Sequence, residues 1–171
     1  MSCSTAGRED VGAEDSGDLR KRVADYLHAH HTMTIATVPL VGNAPHAASV
    51  FYAVDDALRL VFLSKQTSAH GLHIGEAAPV AVTVTEDYAD WELIQGVQMW
   101  GEAKLLAGGA KAGALVAYVR RFPFVRDLAG RPDKAELIRD IGVYRVEPTR
   151  AAFTDNRTGV FGREVLELEV L

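Results

Sequence analysis

The segment from Leu63 to His70 places hydroxyl groups and a cation directly after an apolar run. That run, 58–63, has the length of a strand, and 69–75 has the pattern of a short helix ended by Gly75. A phosphate group needs hydrogen-bond donors, and a strand-to-helix corner supplies them. The candidate donors are Ser64, Lys65, Thr67, Ser68 and His70. A structural interpretation stays open, in which Ser64 or Ser68 only caps the helix and Lys65 is solvated.

Other chemically suggestive patterns have structural explanations. The segment 108–113 lacks both the Gly-Lys-Ser/Thr ending and the G-x-G-x-x-G spacing of nucleotide-binding loops. His28 and His31 are three residues apart, as are His70 and His73, but neither pair has a carboxylate at evident ligand spacing. No metal site is therefore predicted. No nucleophile elbow accompanies the serines, and the sequence identifies no catalytic residue.

Composition narrows the classes of function. The chain has 171 residues, 48% of them hydrophobic, which suits one domain with a sizeable core. Its net charge of -5 gives no general attraction to nucleic acid, and no apolar run approaches the roughly 18 residues that span a membrane. The lone cysteine, Cys3, excludes an internal disulfide framework. Without a signal-peptide pattern, we expect a cytoplasmic protein.

Hydrophobic periodicity predicts the elements that position the corner. Residues 1–17 lack periodicity and are expected to form a disordered leader before a single domain over 18–171. Leu19, Val23, Tyr26 and Leu27 have helical spacing, and a second helix should stop at Pro123, before a helical turn over 133–139. Strands are predicted over 33–38, 46–54, 58–63, 80–85, 96–106, 141–146 and 166–170. Six or more antiparallel strands with few long helices indicate a mainly β protein built on a closed barrel.

The strand order, the corner and the strand Gly96-Val97-Gln98-Met99-Trp100-Gly101-Glu102-Ala103 resemble the FMN-binding split barrels related to pyridoxamine 5'-phosphate oxidase. The resemblance covers about Asp18 to the end. In that superfamily the turn after the third strand holds the FMN phosphate with Ser/Thr and a basic residue, a pattern that 64–70 matches. His70 stands where many relatives have lysine, so its charge would depend on pH. The basic substrate-phosphate cluster of the oxidases themselves is not found, and vitamin B6 oxidation is not implied.

A narrower resemblance is to an uncharacterised bacterial branch labelled YhbP-like. It is carried by Arg120-Arg121-Phe122-Pro123 and by the segment 153–162, Phe-Thr-Asp-Asn-Arg-Thr-Gly-Val-Phe-Gly. We expect 154–162 to be a functional loop that closes over the cofactor, with Asp155, Asn156 and Arg157 presenting polar groups to substrate or cofactor. The alternative is that Asp155 and Asn156 simply fix a turn before the last strand.

The resemblance implies an antiparallel split barrel of Greek-key type that binds FMN as a homodimer. Backbone groups from His46 to Tyr52, including those of Ser49, Val50 and Phe51, would line the flavin edge. Gln98 and Trp100 would face the ring or the ribityl chain. The flavin would carry the redox chemistry while the protein supplies position and a dry pocket. The implied activity is an FMN-dependent oxidoreductase that takes a hydride from a reduced nicotinamide or a small-molecule substrate.

Three alternatives stay open. The barrel could hold flavin without turnover, could hold haem or a deazaflavin as some superfamily members do, or could be a cofactor-free dimeric scaffold. A dimer is also expected from the strands, because Val50 and Tyr52 on one face and Phe51 on the other suggest more apolar surface than one small barrel encloses.

Overall fold

The computed structural model describes residues 11–134, 139–158 and 162–169. Its α-helices are Val11–Ala29 (α1), Ala69–Ile74 (α2), Gly108–Arg121 (α3) and Phe124–Ala129 (α4). Short 3-10 helices occupy Trp91–Leu93 and Pro132–Lys134. The strands are Thr32–Thr37 (β1), His46–Val54 (β2), Leu60–Lys65 (β3), Ala77–Thr85 (β4), Gln95–Leu105 (β5), Ile141–Asp155 (β6) and Arg163–Glu167 (β7).

The strands form one antiparallel sheet that closes on itself. Their order is β3-β2-β1-β4-β5-β6-β7, and an additional pairing of β3 with β6 closes β1 to β6 into a barrel. β7 extends the sheet by pairing with the second half of β6. The predicted mainly β barrel with flanking helices is confirmed.

Alternation along the strands separates the barrel interior from its outer face. Val97 and Met99 of β5 are buried while Gln98 between them is exposed, and Ile35 of β1 is buried beside exposed Ala36. Inward residues of all seven strands join α1 in one core cluster. One barrel therefore encloses the inward set, including Tyr52, which we had expected to contribute to excess apolar surface. A second cluster, beneath α3 and α4, covers part of the outer face of β2, β3 and β6.

The first helix begins earlier than its periodicity predicted. α1 starts at Val11 rather than near Asp18, so the second part of the expected leader is helical, and residues 1–10 lie outside the described part of the chain. Leu19 and Val23 bury one face of α1 against the barrel. At its other end, Arg121 donates to the carbonyl oxygens of His28 and His30, which stabilises the helix terminus. No helix in the described segments is long and apolar enough to cross a bilayer.

β6 is more than twice as long as predicted. It runs from Ile141 to Asp155 and passes through Pro148, at a register irregularity opposite Trp100 and Gly101. Proline is tolerated at such a bulge because the ladder is already interrupted there. Thr154 and Asp155, predicted as loop, therefore belong to a strand. The predicted helical turn over 133–139 coincides in part with the 3-10 helix Pro132–Lys134, and residues 135–138 lie outside the described segments.

A candidate cofactor site at the split between two strands

β2 and β3 separate along their length, which opens the barrel on one side. β3 pairs with β2 only over Tyr52–Val54, whereas β2 continues to pair with β1 back to His46. β3 pairs with β6 on its other edge along its whole length, Leu60–Lys65. Among the described strands, none pairs with the second edge of β2 between His46 and Phe51. Backbone N–H and C=O groups on that edge are available to a ligand, except the Phe51 carbonyl oxygen, which accepts from the Tyr118 hydroxyl.

The predicted corner lies beside this split, where β3 turns into α2. Gly71 allows the close turn, because a Cβ there would approach the Lys65 carbonyl oxygen to 2.5 Å. Ser68 accepts a hydrogen bond from the Gly71 amide and donates to the Lys65 carbonyl oxygen, so it is the helix cap that the structural interpretation expected. Thr67 donates to the Asp140 carboxylate at 2.7 Å. Both hydroxyls are committed within the protein.

Ser64, Lys65 and His70 keep unused binding capacity. The Ser64 hydroxyl lies 2.6 Å from Nε2 of His70. His70 is buried, with 7% of its surface exposed, and its Nδ1 has no hydrogen-bond partner in the described structure. Lys65 is exposed, and its ammonium group makes no ion pair with any described residue. A buried nitrogen without a partner costs free energy, which a bound ligand would offset.

Two further histidines surround His70. The ring of His46, at the start of β2, stacks 6.0 Å from that of His70, and it lies 5.9 Å from that of His73. His73 Nδ1 is 3.0 Å from the Thr37 hydroxyl. Burial lowers the pKa of His70 below its ordinary value, and the neighbouring His46 and His73 lower that pKa further. Among the described residues no group of three or more ligating side chains could hold a metal ion.

The residues predicted on β2 divide between the two faces. Tyr52 is fully buried and donates from its hydroxyl to the Leu27 carbonyl oxygen at 2.6 Å, and burial strongly raises its pKa. Val50 also packs against the core cluster. The side chains of these two residues are therefore unavailable to a ligand outside the barrel, and the Tyr52 backbone N–H already donates to the His31 carbonyl oxygen. Ser49 and Phe51 point outward, and the Ser49 hydroxyl lies 3.4 Å from that of Thr34.

Gln98 and Trp100 lie elsewhere, on the outer face of β5. Together they line a shallow depression of about 180 Å³ with Thr34, Ala36, Ala81, Val82 and Thr83. β5 is separated from β2 by β1 and β4, and three spacings of about 4.8 Å place it about 14 Å away around the barrel. The split and this depression thus lie on opposite edges of β2, and the depression begins at Thr34, beside Ser49.

Two arginines that the sequence did not single out flank Trp100. The guanidinium carbon of Arg150 lies 4.3 Å from the ring centroid, and that of Arg163 lies 5.5 Å from it. Neither arginine forms an ion pair with a described residue. Arg150 lies opposite Trp100 in the pairing of β5 with β6. The sequence did not indicate this contact, because β6 was not expected to continue through Pro148. The outer face therefore combines an aromatic ring with two available cations.

The predicted loop begins as a tight turn. The Asp155 side chain, 7% exposed, accepts from the Arg157 backbone amide at 3.0 Å and from the Arg157 guanidinium at 2.9 and 2.8 Å. These bonds lower the pKa of Asp155. Asn156 donates to the Trp91 carbonyl oxygen, while its Oδ1 is buried without a partner in the described structure. The contacts of Asp155 and Arg157 favour the turn interpretation. Residues 159–161 lie outside the described segments.

Comparisons with known proteins agree with this architecture. A family model described as pyridoxamine 5'-phosphate oxidase matches residues 19–155. A UPF0306 protein from Klebsiella pneumoniae (strain 342) is 35% identical over 119 residues, covering 69% of this chain and 73% of that protein. UPF0306 protein YhbP from Escherichia coli O157:H7 is 33% identical over 122 residues, covering 71% and 75%. A haem-binding protein from Mycobacterium smegmatis has a similar structure, with a TM-score of 0.67 at 15% identity over 95% of this chain and 60% of that one.

The closed antiparallel barrel that opens between β2 and β3 is a split barrel. The chain belongs to the pyridoxamine 5'-phosphate oxidase family. Its similarity to YhbP confirms the predicted branch.

Proposed function

We propose that the protein binds FMN at the split between β2 and β3. The observation that carries this proposal is the unpaired edge of β2 beside the corner of Ser64, Lys65 and His70. The pyrimidine edge of a flavin has alternating N–H and C=O groups, which complement a free strand edge. The phosphate end needs cations and donors, which the corner offers.

The available groups at the corner fit a phosphate selectively. Lys65 would supply a charge. While the imidazole is neutral, the Ser64–His70 pair would supply one donor, either His70 Nδ1–H when Ser64 donates to Nε2 or the Ser64 hydroxyl when Nε2 donates to it. Thr67 is a poorer candidate than expected, because its hydroxyl is bound to Asp140. Ser68 would act indirectly by fixing the turn that holds Lys65 and His70.

We infer that the protein is a homodimer in which the outer face of a second copy completes the site. β5 is three strands from β2, about 14 Å along the sheet, so Gln98 and Trp100 lie on a different part of the outer face from the free backbone edge of their own chain. Trp100 would stack on or beside the flavin, and Arg150 and Arg163 would face its electron-rich carbonyl groups. A twofold interface would create two such sites.

Bound FMN would supply two-electron chemistry, which makes a small-molecule oxidoreductase the activity we propose. The chain's own contribution is to hold the cofactor at the split, keep water from its ring and set the charge around it. We expect this to take place in the cytoplasm. Haem is the second candidate, favoured by the likeness to a haem-binding protein and by the imidazoles of His46, His70 and His73 near the split.

The first test is to identify the ligand that copurifies with the protein and to titrate the ligand-free protein with FMN and with haem. FMN absorbance near 450 nm supports the proposal, whereas a Soret band with no FMN affinity would replace it with the haem alternative. Loss of one charge-assisted contact is worth about 1.5–3 kcal/mol, so Lys65→Ala and Arg150→Ala should each weaken FMN at least tenfold. Lys21→Ala, which removes an exposed cation on α1, should leave FMN affinity unchanged.

The shared site is tested by mixing the two weakened variants. A dimer of Lys65→Ala with Arg150→Ala has one site with both defects and one site with none. Random mixing should therefore restore about a quarter of the high-affinity FMN sites if each site uses two copies. No restoration, although mixed dimers are shown to form, would mean that both residues act within one copy.

A further inference from the structure

A cavity of about 350 Å³ lies between the helices α3 and α4 and the outer face of the sheet. Leu115, Tyr118, Phe124, Val125 and Leu128 line it from the helices. Phe51, Leu63, Ile141 and Val143 line it from β2, β3 and β6, and Lys111 completes the lining. This volume is at the lower end of the range for small-molecule sites, about 300–1,000 Å³.

The cavity leaves large apolar groups incompletely covered. Phe51 is 46% exposed and Phe124 is 49% exposed, and their ring centroids lie 5.8 Å apart. Phe122 lies 5.4 Å from Phe51 and 5.9 Å from Phe124, measured between ring centroids, and closes the aromatic group from the protein side. A ligand with an apolar body would remove this surface from water, which gives a favourable free energy of binding.

The polar groups of the lining define the rest of the ligand. Lys111 is the charged side chain of the lining, and it forms no ion pair with a described residue. It lies in the first turn of α3, which has no acidic residue. The hydroxyl of Tyr118 is already used, because it donates to the Phe51 carbonyl oxygen at 3.3 Å. The lining therefore offers one cation and few other polar partners, which disfavours sugars and nucleotides.

We propose that this cavity is a binding site for a small carboxylic acid with an apolar body, such as a medium-chain acid. The chain would lie between Phe51, Phe124 and Leu115, and the carboxylate would pair with the Lys111 ammonium group. The cavity opens on the outer face of the sheet beside the split, where Phe51 and Leu63 line it, but Ser64, Lys65 and His70 do not line it. This inference does not depend on the proposed function.

The experiment is calorimetric titration of the full chain with three probes of equal length: octanoate, 1-octanol and octylammonium. Octanoate should bind most tightly and octylammonium least. Because the ion pair is partly exposed, Lys111→Gln should weaken octanoate about two- to fivefold and leave 1-octanol unchanged. Lys111→Arg should retain octanoate affinity. Lys21→Gln is the matched control for a lost surface cation and should change nothing.

Two substitutions test the place of binding. Leu115→Trp and Val125→Trp each add volume to the cavity from a different helix, and either should reduce octanoate affinity at least tenfold. Circular dichroism establishes which of them is folded, so that one failure to fold leaves the other as the test. Folded variants that bind octanoate as the wild type does would overturn the proposed position.

Other results would also overturn the proposal. No heat of binding with millimolar octanoate at two well-separated temperatures would exclude the site, because apolar burial has an enthalpy that changes with temperature. Equal affinity for all three probes would exclude the role of Lys111. Dimerisation can be measured by sedimentation as the protein concentration is raised. Loss of octanoate binding as the dimer forms would show that a second copy fills the cavity. Because calorimetry needs no chromophore, a protein that binds no FMN can still bind octanoate, and the two proposals fail separately.

Discussion

Replacement of Arg157 by alanine should destabilise the fold without weakening FMN. Arg157 contributes two side-chain hydrogen bonds to the nearly buried carboxylate of Asp155, at 2.9 and 2.8 Å. In the variant Asp155 keeps its bonds from the residue-157 amide and from Gln95 Nε2, at 3.0 and 2.8 Å. The carboxylate would thus stay partly satisfied, and the loss is smaller than for a fully unpaired buried charge.

The size of this loss of stability depends on how much water reaches the Asp155–Arg157 pair. Charge-assisted hydrogen bonds contribute about 1.5–3 kcal/mol when they are shielded, but exposed ion pairs contribute only about 0.2–1 kcal/mol. The Asp155 side chain is 7% exposed and the Arg157 side chain 54% exposed, so the pair lies between these limits. We expect the free energy of unfolding to fall by about 1 kcal/mol at neutral pH, which corresponds to a Tm lowered by about 2–4 °C.

The pH dependence separates this pair from a packing effect. The hydrogen bond from Arg157 lowers the folded-state pKa of Asp155, so its stabilisation is fully present above the unfolded-state value of about 3.9. It is lost as the pH falls through the folded-state pKa. The difference between wild type and Arg157→Ala in urea unfolding should therefore be constant above about pH 5 and shrink in more acidic solution.

The control is Lys21→Ala, which removes an ion pair exposed on both sides. Its unfolding free energy should change by at most about 0.5 kcal/mol. An Arg157→Ala variant as stable as the wild type, but at least tenfold weaker in FMN binding, would refute the turn interpretation. It would restore the loop over the cofactor as the role of this segment.

Three other substitutions test the fold and the site. Gly101→Ala should lower the free energy of unfolding by about 1–3 kcal/mol in urea titrations, because its Cβ would collide with the Glu147 carbonyl oxygen and with Pro148. Gly109→Ala is the control, since its Cβ would meet open space and the protein should not be destabilised. Tyr52→Phe should lower the free energy of unfolding by about 1–2 kcal/mol, because the Tyr52 hydroxyl donates at 2.6 Å. Tyr118→Phe should lower it by less, because the Tyr118 hydroxyl donates at the longer distance of 3.3 Å. Folding lowers the pKa of His70, so the free energy of unfolding of the wild type should decrease as the pH falls below about 6.5. In His70→Asn this decrease should be smaller.

Alternation was sufficient to predict most of the barrel. β2 has the predicted bounds, His46–Val54, because a β-branched and aromatic run lies between a clear turn on each side. α2 also begins at Ala69 as predicted, since Ser68 caps it. These features depend on neighbours in sequence, and local periodicity determines them.

Features set by long-range pairing were not predictable in this way. β6 continues through Pro148 because the partner strand β5 has its irregularity at the same place. The split arises because β2 and β3 pair only over Tyr52–Val54, while β3 stays paired with β6 along its whole length. α4 follows Pro123 directly and has only six residues, too few for a helical pattern to show.

The satisfaction of hydrogen bonds separates structural from ligand-binding residues among the predicted candidates. Thr67 and Ser68 have the residue types of a phosphate site, but each has a protein partner that a ligand would have to displace. Displacement costs about as much as the new contact contributes. Nδ1 of His70 and the ammonium group of Lys65 lose nothing within the protein when a ligand arrives. The same reasoning favours Arg150 over Arg157, because Arg157 already neutralises Asp155. Residue type identified the corner, but only the bonds already formed show which of its side chains are free to hold a cofactor.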